Sequence, residues 1–268
     1  MLSGIPPFAD ILLHYSPFAE AVSELWNGKS ISVDGVVGSS CALAVAAVAQ
    51  SGDKPVLVVV PEAEMEQVAD DLDLFKGVAS DAANLIFPAL KPSNDDEVFA
   101  LADDLFGQRI RALKELTSKK KAIIVTSFDA LQQPVPTKEL LTERTQTLAV
   151  GNRVDLEKLR RFLVEGGYHN TSAVDLPGEF AVRGYILDLF APDWDKPVRI
   201  EFFDDEIESI RRFDIATQRS LETVSEINLT RLLPNEAVGA TLFDYLPPTS
   251  PIILLEPQEF KLAARSCS

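Results

Sequence analysis

The stretch GEFAVRGYILDLFAPDWDKPVRIEFFDDEIESIRRFD, residues 178–214, decides how the rest of the chain is read. Three runs in it have the composition of β-strands: 180–190, 197–203 and 207–213. Pro192-Asp193 precedes the second and Asp204-Asp205-Glu206 the third, so turn residues punctuate the stretch. The middle run alternates: Val198, Ile200 and Phe202 share one face, and Arg199, Glu201 and Phe203 share the other. The first set reads as a core face. The second is polar except for Phe203, a large ring among charges, which is the composition of a small protein-binding patch.

Outward from this stretch, the 268 residues are enough for one large or two modest domains with a real core. Hydrophobic residues make up 46% and charged residues 25%, the balance of an ordinary globular protein. No apolar run approaches the roughly 20 residues of a membrane span. The N-terminus has no basic segment ahead of an apolar one, so no secretory signal is expected. With only Cys41 and Cys267, neither a disulfide framework nor a cysteine metal cluster is implied, and a reducing, cytoplasmic setting is expected. The net charge of −16 argues against phosphate-dominated DNA binding, which needs clustered Lys and Arg. The one basic run, Lys119-Lys120-Lys121, closes a helix, where lysines complement the dipole.

Upstream, strands and helices alternate. Ser16-Pro17 opens an amphipathic helix closed by Asn27-Gly28, with Ser as N-cap and Pro at the first helical position. The apolar run Ser30–Val33, a Gly35–Gly38 loop and an Ala-rich helix Ser39–Gln50 follow. Val56–Val60 and Ala122–Thr126 read as buried parallel strands, with a strand at Leu85–Phe87 and a helix over 95–117 between them. This pattern predicts an α/β domain with a parallel sheet over residues 1–144. From 145 the grammar changes. A strand at Thr147–Val150, a helix at Asp155–Glu165, the meander and a strand near Ile227–Leu233 predict an inserted α+β domain over 145–234, a helix on an antiparallel sheet. Residues 235–268 hold a further strand, Ile252–Leu255, and the start of a helix, too little for a core of their own, so they either return to the first domain's sheet or belong to something cut off.

No catalytic site is legible. A working phosphate loop needs G-x-x-x-x-G-K-[ST], with Lys to neutralise phosphate and Ser/Thr to ligate magnesium. Gly35 and Gly38 hold plausible turn positions, but Cys41 and Ala42 stand where Lys and Thr belong. No Lys or Arg occurs between Lys29 and Lys54, and the helix dipole alone supplies only about 1 kcal/mol. The strand 200–205 ends in acids, as magnesium-holding strands do, but its alternation with Arg199 and Glu201 favours a solvated turn. His14 and His169 lie in unrelated contexts, so no metal set or catalytic triad forms. No cofactor is expected.

The outer face of the meander therefore carries the functional question. Arg199 and Phe203 lie about 13 Å apart on one strand face, and Arg183 joins them if the pairing register allows. Arg and aromatic residues are the types enriched at binding hot spots. The competing reading covers Phe203 with the 155–165 helix and pairs the arginines locally with Glu201 or Asp188. Residue physics leaves both open.

The segment from Gly178 to Phe190, then Pro197 through Ile210, then Phe213 to Ser220 resembles the transcription-repair coupling factors (Mfd) and, less closely, the excision-repair protein UvrB. Looser similarity extends to the Gly-Val-Val-Gly-Ser-Ser-Cys-Ala loop, to Phe-Pro-Ala-Leu at 87–90 and to Ile-Val-Thr-Ser-Phe-Asp-Ala-Leu at 124–131. UvrB keeps Lys-Thr in its loop, so Cys41 and Ala42 favour the coupling factors. The resemblance implies a degenerate P-loop, RecA-like domain 1A that has lost ATP hydrolysis, an inserted domain 2, and the start of domain 1B. It implies that domain 2 binds UvrA, with Arg183, Arg199 and Phe203 as contacts and Glu201 as a weaker one. ATP-driven translocation and contact with RNA polymerase and DNA would belong to domains downstream of this chain.

Overall fold

The computed structural model describes residues 8–75, 82–91, 104–118, 121–233, 236 and 239–257. Helices α1 (Phe8–Leu13), α2 (Ser16–Trp26) and α3 (Ser39–Ser51) precede strand β1 (Val56–Val59). Then come α4 (Met65–Phe75), β2 (Ala83–Phe87), α5 (Asp104–Ser118), β3 (Ala122–Thr126), α6 (Phe128–Gln132), β4 (Val135–Pro136), α7 (Lys138–Glu143) and β5 (Thr145–Ala149). Helix α8 (Leu156–Glu165) leads into β6 (His169–Asn170), β7 (Glu179–Arg183), β8 (Ile186–Phe190), β9 (Val198–Phe203) and β10 (Glu206–Phe213). Strands β11 (Ser220–Val224), β12 (Glu226–Thr230), β13 (Gly239–Ala240) and β14 (Ile252–Leu254) complete the order. The fold is mixed α/β, with one parallel and one mainly antiparallel sheet. Two compact units form: residues 1–90, 112–133 and 241–268, and residues 91–111 and 134–240.

The first unit holds a parallel sheet in the order β14-β1-β3-β2. Every residue of β1 and β3 is buried, which is why both read as unbroken apolar runs rather than alternating ones. Val45 and Val48 of α3, Met65 and Leu72 of α4, and Val58 and Val125 of the sheet belong to one core.

The second unit holds a six-stranded sheet in the order β11-β10-β9-β8-β7-β6, antiparallel except between β6 and β7. Beside it β5 and β12 form a two-stranded ladder. Along β9 the burial alternates as expected: Val198, Ile200 and Phe202 are buried, and Arg199, Glu201 and Phe203 are not. Leu187 and Leu189 of β8 stand opposite Ile200 and Val198 and extend the same core face. Asp155 starts α8 by accepting from Glu157 N (3.0 Å) and Lys158 N (3.1 Å), and Leu159 and Leu163 are buried.

Several expectations need correction. Residues 180–190 form two strands, not one. The chain reverses at Gly184 (φ +61°) and Tyr185, with Arg183 paired to Ile186. Apolar residues continue through the reversal, so periodicity hides it; the positive φ at Gly184 is what makes the turn. The meander is accordingly longer than three strands. Ser30–Val33 forms no strand: Ile31 and Val33 are its only apolar residues and Val33 is half exposed, too little buried surface to hold an edge. Beside β1 the sheet instead takes β14. Ser16 is the first residue of α2 rather than its cap, and its hydroxyl donates to Glu20 Oε1 at 3.0 Å. Of the helix expected over 95–117, the described part is Asp104–Ser118. Residues 95–103, Lys119, Lys120, Cys267 and the helix expected after Leu255 lie outside the described residues.

Candidate protein-interaction surface

The register places the candidate residues on adjoining strands of one sheet face. Asp188 of β8 stands opposite Ala181 on β7 and opposite Arg199 on β9. Arg183 lies two residues further along β7, opposite Ile186, which in turn faces Glu201. Both arginines converge on Asp188. Arg199 grips it with two parallel bonds, Nε to Oδ1 at 2.6 Å and Nη2 to Oδ2 at 2.9 Å. Arg183 Nη2 donates to the same Oδ2 at 3.0 Å. Asp188 is 1% exposed, whereas the Arg183 side chain is 54% exposed. The charges of the two arginines and Asp188 sum to +1.

Arg199 is held on other sides too. Its Cζ lies 4.8 Å from the centroid of the buried Phe213 ring, and its Nη2 also reaches Gln218 Oε1 at 3.3 Å. The hydrogen bonds to Asp188 raise its pKa above the ordinary arginine value, against the opposing effect of burial, so it is charged at any working pH. Gln218 sits at φ +57° in a turn that Asp214 builds, its Oδ1 accepting from Thr217 N (2.8 Å) and Thr217 Oγ1 (2.7 Å).

Glu201 is engaged on the other side, accepting from Ser209 Oγ and Arg211 Nη2, both at 2.8 Å. Phe203 ends β9 just before the Asp204-Asp205 turn and is 76% exposed. Helix α8 does not cover it. Tyr185, exposed in the neighbouring β7–β8 turn, stands across from Phe202, the residue before Phe203, with its carbonyl accepting from Phe202 N at 2.9 Å. The two competing readings thus each hold in part: the ring is bare, and the arginines do pair locally, though on a carboxylate they share. Asp188, Gln218 and Tyr185 were not singled out as site residues from sequence. Asp188 had one signal, its position two residues from each end of an apolar run; Gln218 had none.

The phosphate-loop region is geometrically simple. Gly35 (φ +79°) and Gly38 (φ +57°) make the bend into α3, and Ser40 Oγ donates to Val37 O at 2.6 Å. Cys41 is a free thiol with Sγ 3.5 Å from Val36 O, and Ala42 is buried. Burial raises the Cys41 pKa, and the charges of Glu256 and Glu64 raise it further. Negative charge that disfavours a thiolate at Cys41 also disfavours a phosphate there. Among the described residues, no group of three or more His, Cys, Asp or Glu is arranged to hold a metal ion, and no helix is long and apolar enough to cross a membrane.

The UvrB interaction domain family matches residues 147–235. A transcription-repair-coupling factor of Myxococcus xanthus is 34% identical over 220 residues, 80% of this chain and 18% of that protein. Those of Bacillus subtilis (strain 168) and Escherichia coli (strain K12) are 30% and 29% identical over 79% and 78% of the chain. The chain spans about 18% of the length of these relatives. Over about four-fifths of its length the chain is thus similar to transcription-repair-coupling factors, and residues 147–235 match the UvrB interaction domain.

Proposed function

We propose that this chain is a non-catalytic adaptor that recruits the damage-recognition protein UvrA through the Arg183–Arg199–Phe203 face of its UvrB interaction domain. The observation that carries the reading is Phe203, a ring left 76% exposed at the end of a strand whose neighbouring arginines are already held in place. Large exposed rings flanked by oriented guanidinium groups have the composition of an interface centre. The net positive charge of the arginine pair would complement an acidic partner surface and steer its approach. Glu201, bound to Arg211 and Ser209, would act at the rim.

In this reading residues 1–144 form a degenerate RecA-like domain, 145–234 the inserted UvrA-binding domain and 235–268 the beginning of a domain 1B. The whole acts in the cytoplasm. Polymerase engagement, DNA contact and ATP-driven translocation would be carried by other parts of the full-length coupling factor. The rival reading is a UvrB-like NTPase. Against it stand the missing Lys and Thr, with Cys41 and Ala42 in their place, and the carboxylates of Glu64 and Glu256 acting on the helix start. Calorimetric titration tests both at once. UvrA should bind the chain and lose affinity to Arg199→Ala, while ATP with magnesium should give no heat. Micromolar ATP binding that disappears on changing Gly38 would establish the rival. Unchanged UvrA binding by Arg199→Ala and Phe203→Ala together would leave the domain to a different partner.

A further inference from the structure

We propose that Asp188 is the positioning residue of this surface, a buried carboxylate that fixes the direction and spacing of Arg183 and Arg199 before a partner arrives. The inference rests on reading that face as the UvrA-docking site. A carboxylate that is 1% exposed has left water, and its burial is costly unless its oxygens are hydrogen-bonded. Asp188 achieves this with three arginine N–H donors at 2.6, 2.9 and 3.0 Å. Its neighbours make the site dry: Ala181 is its ladder partner and joins Phe190 and Val174 in a small buried cluster, with Trp194 and Ile215 packed against it.

Arg199 cannot swing away without leaving Oδ1 with no arginine donor, while Arg183 adds a second donor to Oδ2. The constraint is strongest at Arg199, where the Phe213 ring face and Gln218 Oε1 hold the guanidinium from two further directions. Long side chains normally lose rotamer freedom when a partner orders them, and that cost weakens binding. Here Arg199 is already held in the free chain from three sides, and Arg183 is tethered by one bond. Charge alone gives no reason for the arrangement, because Asp188 cancels one of two positive charges where an acidic partner would want both. Orientation is what the carboxylate supplies.

The two effects have opposite signs, so Asp188→Asn separates them. If Asp188 positions the arginines, Asp188→Asn weakens UvrA binding by at least about tenfold despite adding positive charge. The triple variant Asp188→Asn/Arg183→Ala/Arg199→Ala then binds no worse than Arg183→Ala/Arg199→Ala. If Asp188 only compensates charge, Asp188→Asn binds as well or better, with a steeper dependence on salt, and the proposal fails. Should Asp188→Asn not fold, Arg199→Lys carries the test. It keeps the charge but loses the two-pronged grip, and must bind as poorly as Arg199→Ala. Retained affinity would overturn the proposal. NMR of the chain without partner keeps this inference separate from the functional reading. A slowly exchanging Arg199 Nε–H that is lost in Asp188→Asn, with sheet amides unchanged, supports positioning even if UvrA itself fails to bind. A fast-exchanging Nε–H in the unaltered chain refutes it.

Discussion

Phe203→Ala separates a docking surface from a structural one, because the two roles predict opposite pairs of results. With 76% of the residue exposed, its removal leaves no cavity, so stability should change by less than about 0.5 kcal/mol. For a chain of this size that moves Tm by less than about 2 °C. A buried Phe would instead cost about 3–5 kcal/mol. The binding effect follows from the surface still available. A Phe side chain presents roughly 200 Å², of which about three-quarters, some 150 Å², is open to a partner. At about 25 cal/mol per Å² its full burial is worth at most about 4 kcal/mol. Ordering and imperfect packing reduce this to about 2 kcal/mol or more, an affinity loss of at least about 30-fold. The assay is paired: thermal unfolding of both proteins, then titration of each with UvrA. A Tm drop of about ten degrees or more would mean that Phe203 is packed in solution, and undiminished UvrA affinity would remove it from the interface. Either result refutes the argument.

Other consequences are smaller or lie away from the surface. Arg212 pairs with Glu222 at 2.8 Å with both side chains about half exposed, so Arg212→Ala should alter stability by less than about 0.5 kcal/mol and leave UvrA binding intact. Gly107 has no room for a side chain: a Cβ there would fall on the backbone carbonyl of Pro192. Gly107→Ala should therefore cost about 1–3 kcal/mol, read as a lower denaturant midpoint at unchanged slope. The Thr217 hydroxyl, and next its backbone N–H, lower the pKa of Asp214 below the ordinary carboxylate value. A folded pKa below the unfolded one contributes stability above the unfolded value and loses it as pH falls through the folded value. The Tm gap between the native chain and Asp214→Ala, which loosens the Gln218 turn, should thus be present at neutral pH and narrow in acid. A gap that widens in acid would contradict the sign.

Much of the fold was legible because each unit obeys its own period. Buried parallel strands such as β1 and β3 announce themselves as continuous apolar runs, and β9 by strict alternation. Short elements were missed although some carried signals: Ser127 and Thr137 cap α6 and α7 through Ala130 N and Leu140 N. The turn inside 180–190 was hidden because the residues on both sides of Gly184 are apolar enough for one strand. The site was legible only in part. Alternation found Arg199 and Phe203, since a residue's face depends on its own strand alone. That Arg183 and Arg199 share Asp188 depends on the pairing of β7, β8 and β9, and a one-residue slip would send Asp188 to the opposite face.

The most direct measurement of the central claim is an NMR titration of the isotopically labelled chain with unlabelled UvrA. The account predicts that signals from Arg183 to Ile186 and from Arg199 to Phe203 shift or broaden, while those at the start of α3 stay in place. Saturable binding that perturbs a different face and leaves Arg199 and Phe203 unchanged would contradict it.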